Sequence, residues 1–128
     1  MRRAVLEAMT SEELDQYAAA VGAKVDGLDV DRAKVDAILT RVNRTEKVTA
    51  AGLTLEVEMA NLNDLRLAEL QAKDDKTISD LVEMADCLFG EAQVERIKEH
   101  VADDDGHVDA VLFAFIIGKA FEAASEKN

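Results

Sequence analysis

Residues 108–124 have almost no polar side: Val111, Leu112, Phe113, Phe115, Ile116, Ile117 and Phe121 cover the segment nearly all round. A helix of that kind must be central to its own chain's core or shared with a second chain. The constraint is severe in a chain of 128 residues, which matches one ordinary domain or a small domain with a helical appendage. The longest apolar run, residues 111–118, falls far short of the roughly 20 residues that span a bilayer. The segment therefore reads as a buried helix, and no membrane association is expected.

The remaining core has to be built without large aromatics. The chain has four Phe, one Tyr and no Trp, so Ala, Val, Leu, Ile and Met must fill the interior, which suits close-packed helices. No proline interrupts any of them. Cys87 is the single cysteine, which excludes an intramolecular disulfide and a multi-cysteine zinc site and fits an intracellular protein. The apolar stretch before Glu7 is too short for a signal peptide.

Residues 10–13, Thr-Ser-Glu-Glu, form a capping box. A first helix follows to about Val21 with Leu14, Tyr17, Ala18 and Val21 on one face, and Gly22 supplies its stop. An extended loop carrying Val25 and Leu28 leads to a second helix over about 31–44, with Val35, Ile38, Leu39 and Val42 inward. The period then changes to two. Leu53, Leu55, Val57 and Met59 alternate with Thr54, Glu56 and Glu58, as in a half-buried strand, and residues 48–50 can pair with it across Ala51-Gly52. A lone hairpin is marginal in water, so it must lean on helices or add strands from another copy; a free strand edge is an assembly surface.

Beyond the hairpin, Asn63 or Asp64 caps a short helix with Leu65, Leu67 and Leu70, and Thr77 or Ser79 caps another that ends at Gly90. A helix over about 91–101 places Val94, Ile97 and Val101 on one side, and residues 103–106 separate it from the last helix. Residues 125–128 read as a frayed polar tail. The expected fold is mainly α (α+β): a helical bundle with one short β-hairpin and a small N-terminal two-helix module. The expected domains are residues 1–46, a helix–extended loop–helix module, and 47–128, a hairpin plus a four-helix acidic domain.

Charge divides the chain unevenly. Residues 1–50 hold 8 Lys/Arg and 9 Asp/Glu, whereas residues 51–128 hold 7 and 18, a net charge of −11. Such a surface repels phosphate backbones and anionic membranes, so proteins are the expected partners and nucleic acid is disfavoured. The basic residues Arg32, Lys34, Arg41, Arg44 and Lys47 offer at most a weak phosphate patch, balanced by Asp31, Asp36 and Glu46.

No catalytic constellation emerges. The run Asp-Asp-Asp-Gly at 103–106 imitates part of a calcium loop, but in that register Val101 and Leu112 occupy the anchoring ligand positions. His100 and His107 lack metal-ligand spacing. Cys87 sits among apolar neighbours with no base beside it. Phosphate loops, nucleophile elbows and dinucleotide fingerprints are missing. No enzyme activity, no metal and no cofactor is expected.

Two stretches carry a resemblance. Residues 9–39, "MTSEELDQYAAAVGAKVDGLDVDRAKVDAIL", resemble the helix–extended loop–helix modules of the SAP and LEM-like group. Roughly residues 45–128, through the order of hairpin and helices and through "LFGEAQ" and "DDDGHV", are similar to tail assembly chaperones of long-tailed phages and prophages. The resemblance implies a protein of the bacterial host cytoplasm that binds the tape measure protein during tail assembly. It brings no catalytic residues. The departure from it is the apolar "AVLFAFIIGKAF", which points to self-association. The expected protein-binding residues are Leu53, Leu55 and Val57 on the hairpin and Phe115 and Phe121 on the last helix. The alternative function is a nucleic-acid-associated or general protein-interaction module using the N-terminal helices.

Overall fold

The computed structural model describes residues 2–128, which divide after Arg44 into two compact units. The boundary lies two residues before the expected one, because the first strand already begins at Thr45.

Unit 1 consists of α1 (Arg2–Glu7), α2 (Ser11–Val21) and α3 (Asp31–Val42). The capping box forms as expected: Thr10 Oγ1 accepts from the amide of Glu13, and Glu13 Oε1 accepts from the amide of Thr10. Gly22 ends α2 with a φ of 74°, a left-handed conformation that glycine adopts without Cβ strain. Leu14 and Ala18 from α2, Val25 from the loop, and Val35 and Ile38 from α3 form the core. Tyr17 packs partly buried against it. Helix α1 is an addition to the expected module, since six residues are too few to show a period; it closes this small core with Leu6.

Unit 2 opens with β1 (Thr45–Ala50) and β2 (Leu53–Glu58), an antiparallel pair in register from Thr45 opposite Glu58 to Ala50 opposite Leu53. Both turn residues have positive φ, 49° at Ala51 and 79° at Gly52, as a two-residue hairpin matching the strand twist requires. A 3-10 turn, Met59–Asn63, follows; Met59 therefore belongs to the turn, although its side chain stays in the core. Next come α4 (Leu65–Gln71), α5 (Ile78–Phe89), α6 (Glu91–Val101) and α7 (Ala110–Glu126). The protein is mainly helical with one two-stranded hairpin.

Asp64 rather than Asn63 caps α4, and Thr77 rather than Ser79 caps α5 in a reciprocal box with Asp80. Gly90 alone joins α5 to α6; its φ of 83° with ψ of 157° is essentially glycine-only backbone. The core gathers Val48, Leu55 and Val57 from the hairpin with Leu67, Leu88, Ile97 and Ile116 from the helices. Leu65, expected on the inner face of α4, is instead three-quarters exposed, because Leu67 and Leu70 take the buried face. The expected frayed tail is shorter, since α7 continues to Glu126 with Ala124 buried.

Candidate functional site

Helix α7 has two apolar faces. Phe113, Ile116, Ile117, Ala120 and Ala124 recur at helical spacing and are buried in the core of unit 2. Val111, Leu112 and Phe115 lie on the other side and remain 78%, 50% and 54% exposed. Val108, just before the helix, is also exposed. Further along, that side turns polar with Lys119 and Glu122, whose Nζ and Oε2 lie 3.9 Å apart. The Lys119 ammonium stands 5.8 Å from the centre of the Phe115 ring, within cation–π range. Only part of the expected coverage of this helix is thus provided by its own unit.

The loop before α7 fixes the start of this exposed face. Asp109 Oδ1 accepts from the amides of Val111 and Leu112, satisfying two donors that a helix start leaves unpaired. Asp103 Oδ1 accepts from the amides of Asp105 and His107, closing the loop on itself. These aspartates hold backbone. Among the described residues, no group of three or more acidic, histidine or cysteine side chains is gathered as a metal would need.

The five expected binding residues separate. Leu55 and Val57 are fully buried, so they present no docking surface: a two-stranded sheet has one face to cover, and the helices of the same chain cover it. Leu53 and Phe121 are partly buried and pack against the same core. Phe115 is exposed. Val111 and Leu112, which are not among the expected binding residues, adjoin it. An all-round apolar helix gives no signal of which side its own chain covers.

The hairpin edges also differ. Gln93 Oε1 accepts from the amide of Glu56 at 2.7 Å, and its Nε2 donates to the carbonyls of Glu56 at 2.6 Å and Phe89 at 2.8 Å. Arg96 donates to the carbonyl of Thr54, and His100 Nε2 lies 2.8 Å from that of Ala51. Gln93 and Arg96, one turn apart on α6, thereby occupy the outer edge of β2, and His100 meets the hairpin turn. Among the described residues no side chain does this for Lys47 or Thr49 of β1.

The basic residues of unit 1 are engaged locally. Lys34 is buried, with Nζ 2.8 Å from Asp15 and 3.0 Å from Ser11. Arg3 lies 2.7 Å from Asp36, and that hydrogen bond above all raises its pKa. Arg41 donates to the carbonyl of Val21. Burial pushes the Cys87 thiol above its ordinary value, which disfavours the thiolate a nucleophile needs. No helix among the described residues is long and apolar enough to cross a membrane.

Compared with known proteins, the chain matches no family model, no curated protein and no solved structure.

Proposed function

We propose that the protein is a chaperone for a long helical partner, of the phage tail assembly type its sequence resembles, with the tape measure protein as client. The observation that carries this reading is the uncovered face of α7, where Val111, Leu112 and Phe115 lie side by side on an acidic unit. Large apolar side chains clustered on a surface mark an interaction site. A client helix laid on them removes apolar area from water at about 25 cal/mol per Å². The surrounding negative charge selects clients with Lys or Arg beside their apolar residues and keeps the complex dispersed. The nucleic-acid reading gains nothing from unit 1, whose Lys34 and Arg3 are already paired with carboxylates.

The test is coexpression with the tape measure protein of the same genome. The wild-type chain keeps the client in the soluble fraction and copurifies with it. The Val111→Asp/Phe115→Asp double variant, altered only at exposed positions, folds but leaves the client in the pellet. Equal solubilisation by the double variant overturns the proposal.

A further inference from the structure

In a hairpin closed by a two-residue turn, Ala50 and Leu53 form a hydrogen-bonded pair and the pairs alternate from there. Thr54 and Glu56 therefore aim their main-chain groups outward on β2, and their cross-strand partners Thr49 and Lys47 do so on β1. The outward groups of β2 are taken by Gln93 and Arg96. Among the described residues none pairs with those of Lys47 and Thr49. Beside this open edge runs a groove of about 390 Å³, with Thr49 and Ala50 on one wall and Phe115, Lys119, Glu122 and Glu126 of α7 on the other.

We infer that this groove takes an extended, cationic segment of a partner protein, which adds to β1 as a third strand. Main-chain groups of Lys47 and Thr49 hold such a segment by strand pairing, and the α7 wall reads alternate side chains. Phe115 offers an apolar surface at one end. At the other, Glu126 has no ion-pair partner among the described residues and stands in the last turn of α7, where the helix dipole also favours cations. Eleven helical steps separate the two, roughly 16 Å at the helical rise, which about five strand residues span. Side chains on one side of a strand are an even number apart. The segment therefore carries an apolar residue with Lys or Arg four to six positions away. A second copy of the chain fits less well, because it brings a further net charge of −12 to the same edge. The inference rests on the protein-binding reading and shares Phe115 with it, but the β1 main chain and Glu126 belong to the groove alone.

The probe is an acetylated, amidated nine-residue serine–threonine peptide with leucine at its centre and lysine at both ends, which satisfies the spacing in either direction. On titration, the amide protons of Lys47 and Thr49 gain protection from exchange. N-methylation of alternate peptide amides abolishes binding. Thr49→Pro, which removes an outward N–H and no β1–β2 bond, weakens it at least tenfold, and Glu126→Lys weakens it several-fold. No binding at millimolar peptide, or binding that leaves both amides unprotected, overturns the inference; so does protection in the free protein that disappears on dilution, which assigns the edge to a second copy. The exchange measurement on the wild-type chain decides the matter even if Thr49→Pro fails to fold. A client still solubilised through Val111 and Phe115 while the peptide fails to bind separates this failure from that of the chaperone reading.

Discussion

The side-chain amide of Gln93 pairs with the main chain of Glu56 as a residue of a neighbouring strand would, accepting from its N–H and donating to its carbonyl. One helical side chain thereby stands in for a missing strand. Gln93→Ala is expected to destabilise unit 2 by about 1 to 2 kcal/mol, the net worth of the bonds lost. It also opens the β2 edge at Glu56, with Arg96 left on Thr54, and a sheet that can pair at both edges can pass from copy to copy without closing. Thioflavin fluorescence and light scattering after prolonged incubation should rise for Gln93→Ala and not for the wild type.

Ala51 is the one non-glycine residue among those described with positive φ. Left-handed backbone is costly for alanine and well tolerated by asparagine, and Asn-Gly is the favoured pair in this turn. Ala51→Asn should stabilise unit 2 by about 1 kcal/mol. The carbonyl that meets His100 is main chain and is retained. Chemical denaturation measures the gain.

Two carboxylates on α5 should respond to pH in opposite senses. The Thr77 amide, and then the Lys73 ammonium, hold the pKa of Asp80 below the ordinary carboxylate value. Its contribution is present above that value and is lost as pH falls through the lowered one. Asp80→Asn should therefore lower Tm at neutral pH and converge with the wild type in acid. Asp86 is shifted upward, first by burial and then by the charge of Glu91. Ionised Asp86 opposes folding once pH exceeds the raised value, so Asp86→Asn should raise Tm at neutral pH, and the gain should vanish below the ordinary carboxylate range. Melting both variants across pH 2.5 to 7 checks the signs.

Self-association is expected to strengthen with salt. The exposed face of α7 favours pairing while a net charge of −12 per copy opposes it, and only the second effect is screened, over about 10 Å at 0.1 M salt. Light scattering should show the average mass rising with ionic strength, and Val111→Asp should abolish the rise. A monomer under all conditions refutes this.

Features governed by near neighbours in the chain were legible in the sequence. The box at Thr10 and Glu13, the stop at Gly22, the Ala51-Gly52 turn and the apolar faces of α3 and α6 all follow from local spacing. The first half of β1, Thr-Glu-Lys, was not legible because it has no buried apolar residue to mark the alternation. The roles of Gln93, Arg96 and His100 were not legible either, since their partners are main-chain groups nearly 40 or more residues away. The exposure of Val111 and the burial of Leu55 depend on which surfaces the helices of unit 2 cover, and hydrophobicity is the same in either case.

Tyr17 is the chain's only tyrosine, it packs in unit 1, and there is no tryptophan. Tyrosine emission therefore follows the small N-terminal core alone, and unit 2, with Phe89, Phe113, Phe115 and Phe121, is silent at that wavelength. Far-ultraviolet circular dichroism weights unit 2 more heavily, because its four helices together hold more residues than the three of unit 1. A single unlabelled sample thus carries two optical signals, and any difference between their melting curves measures whether the two units unfold together.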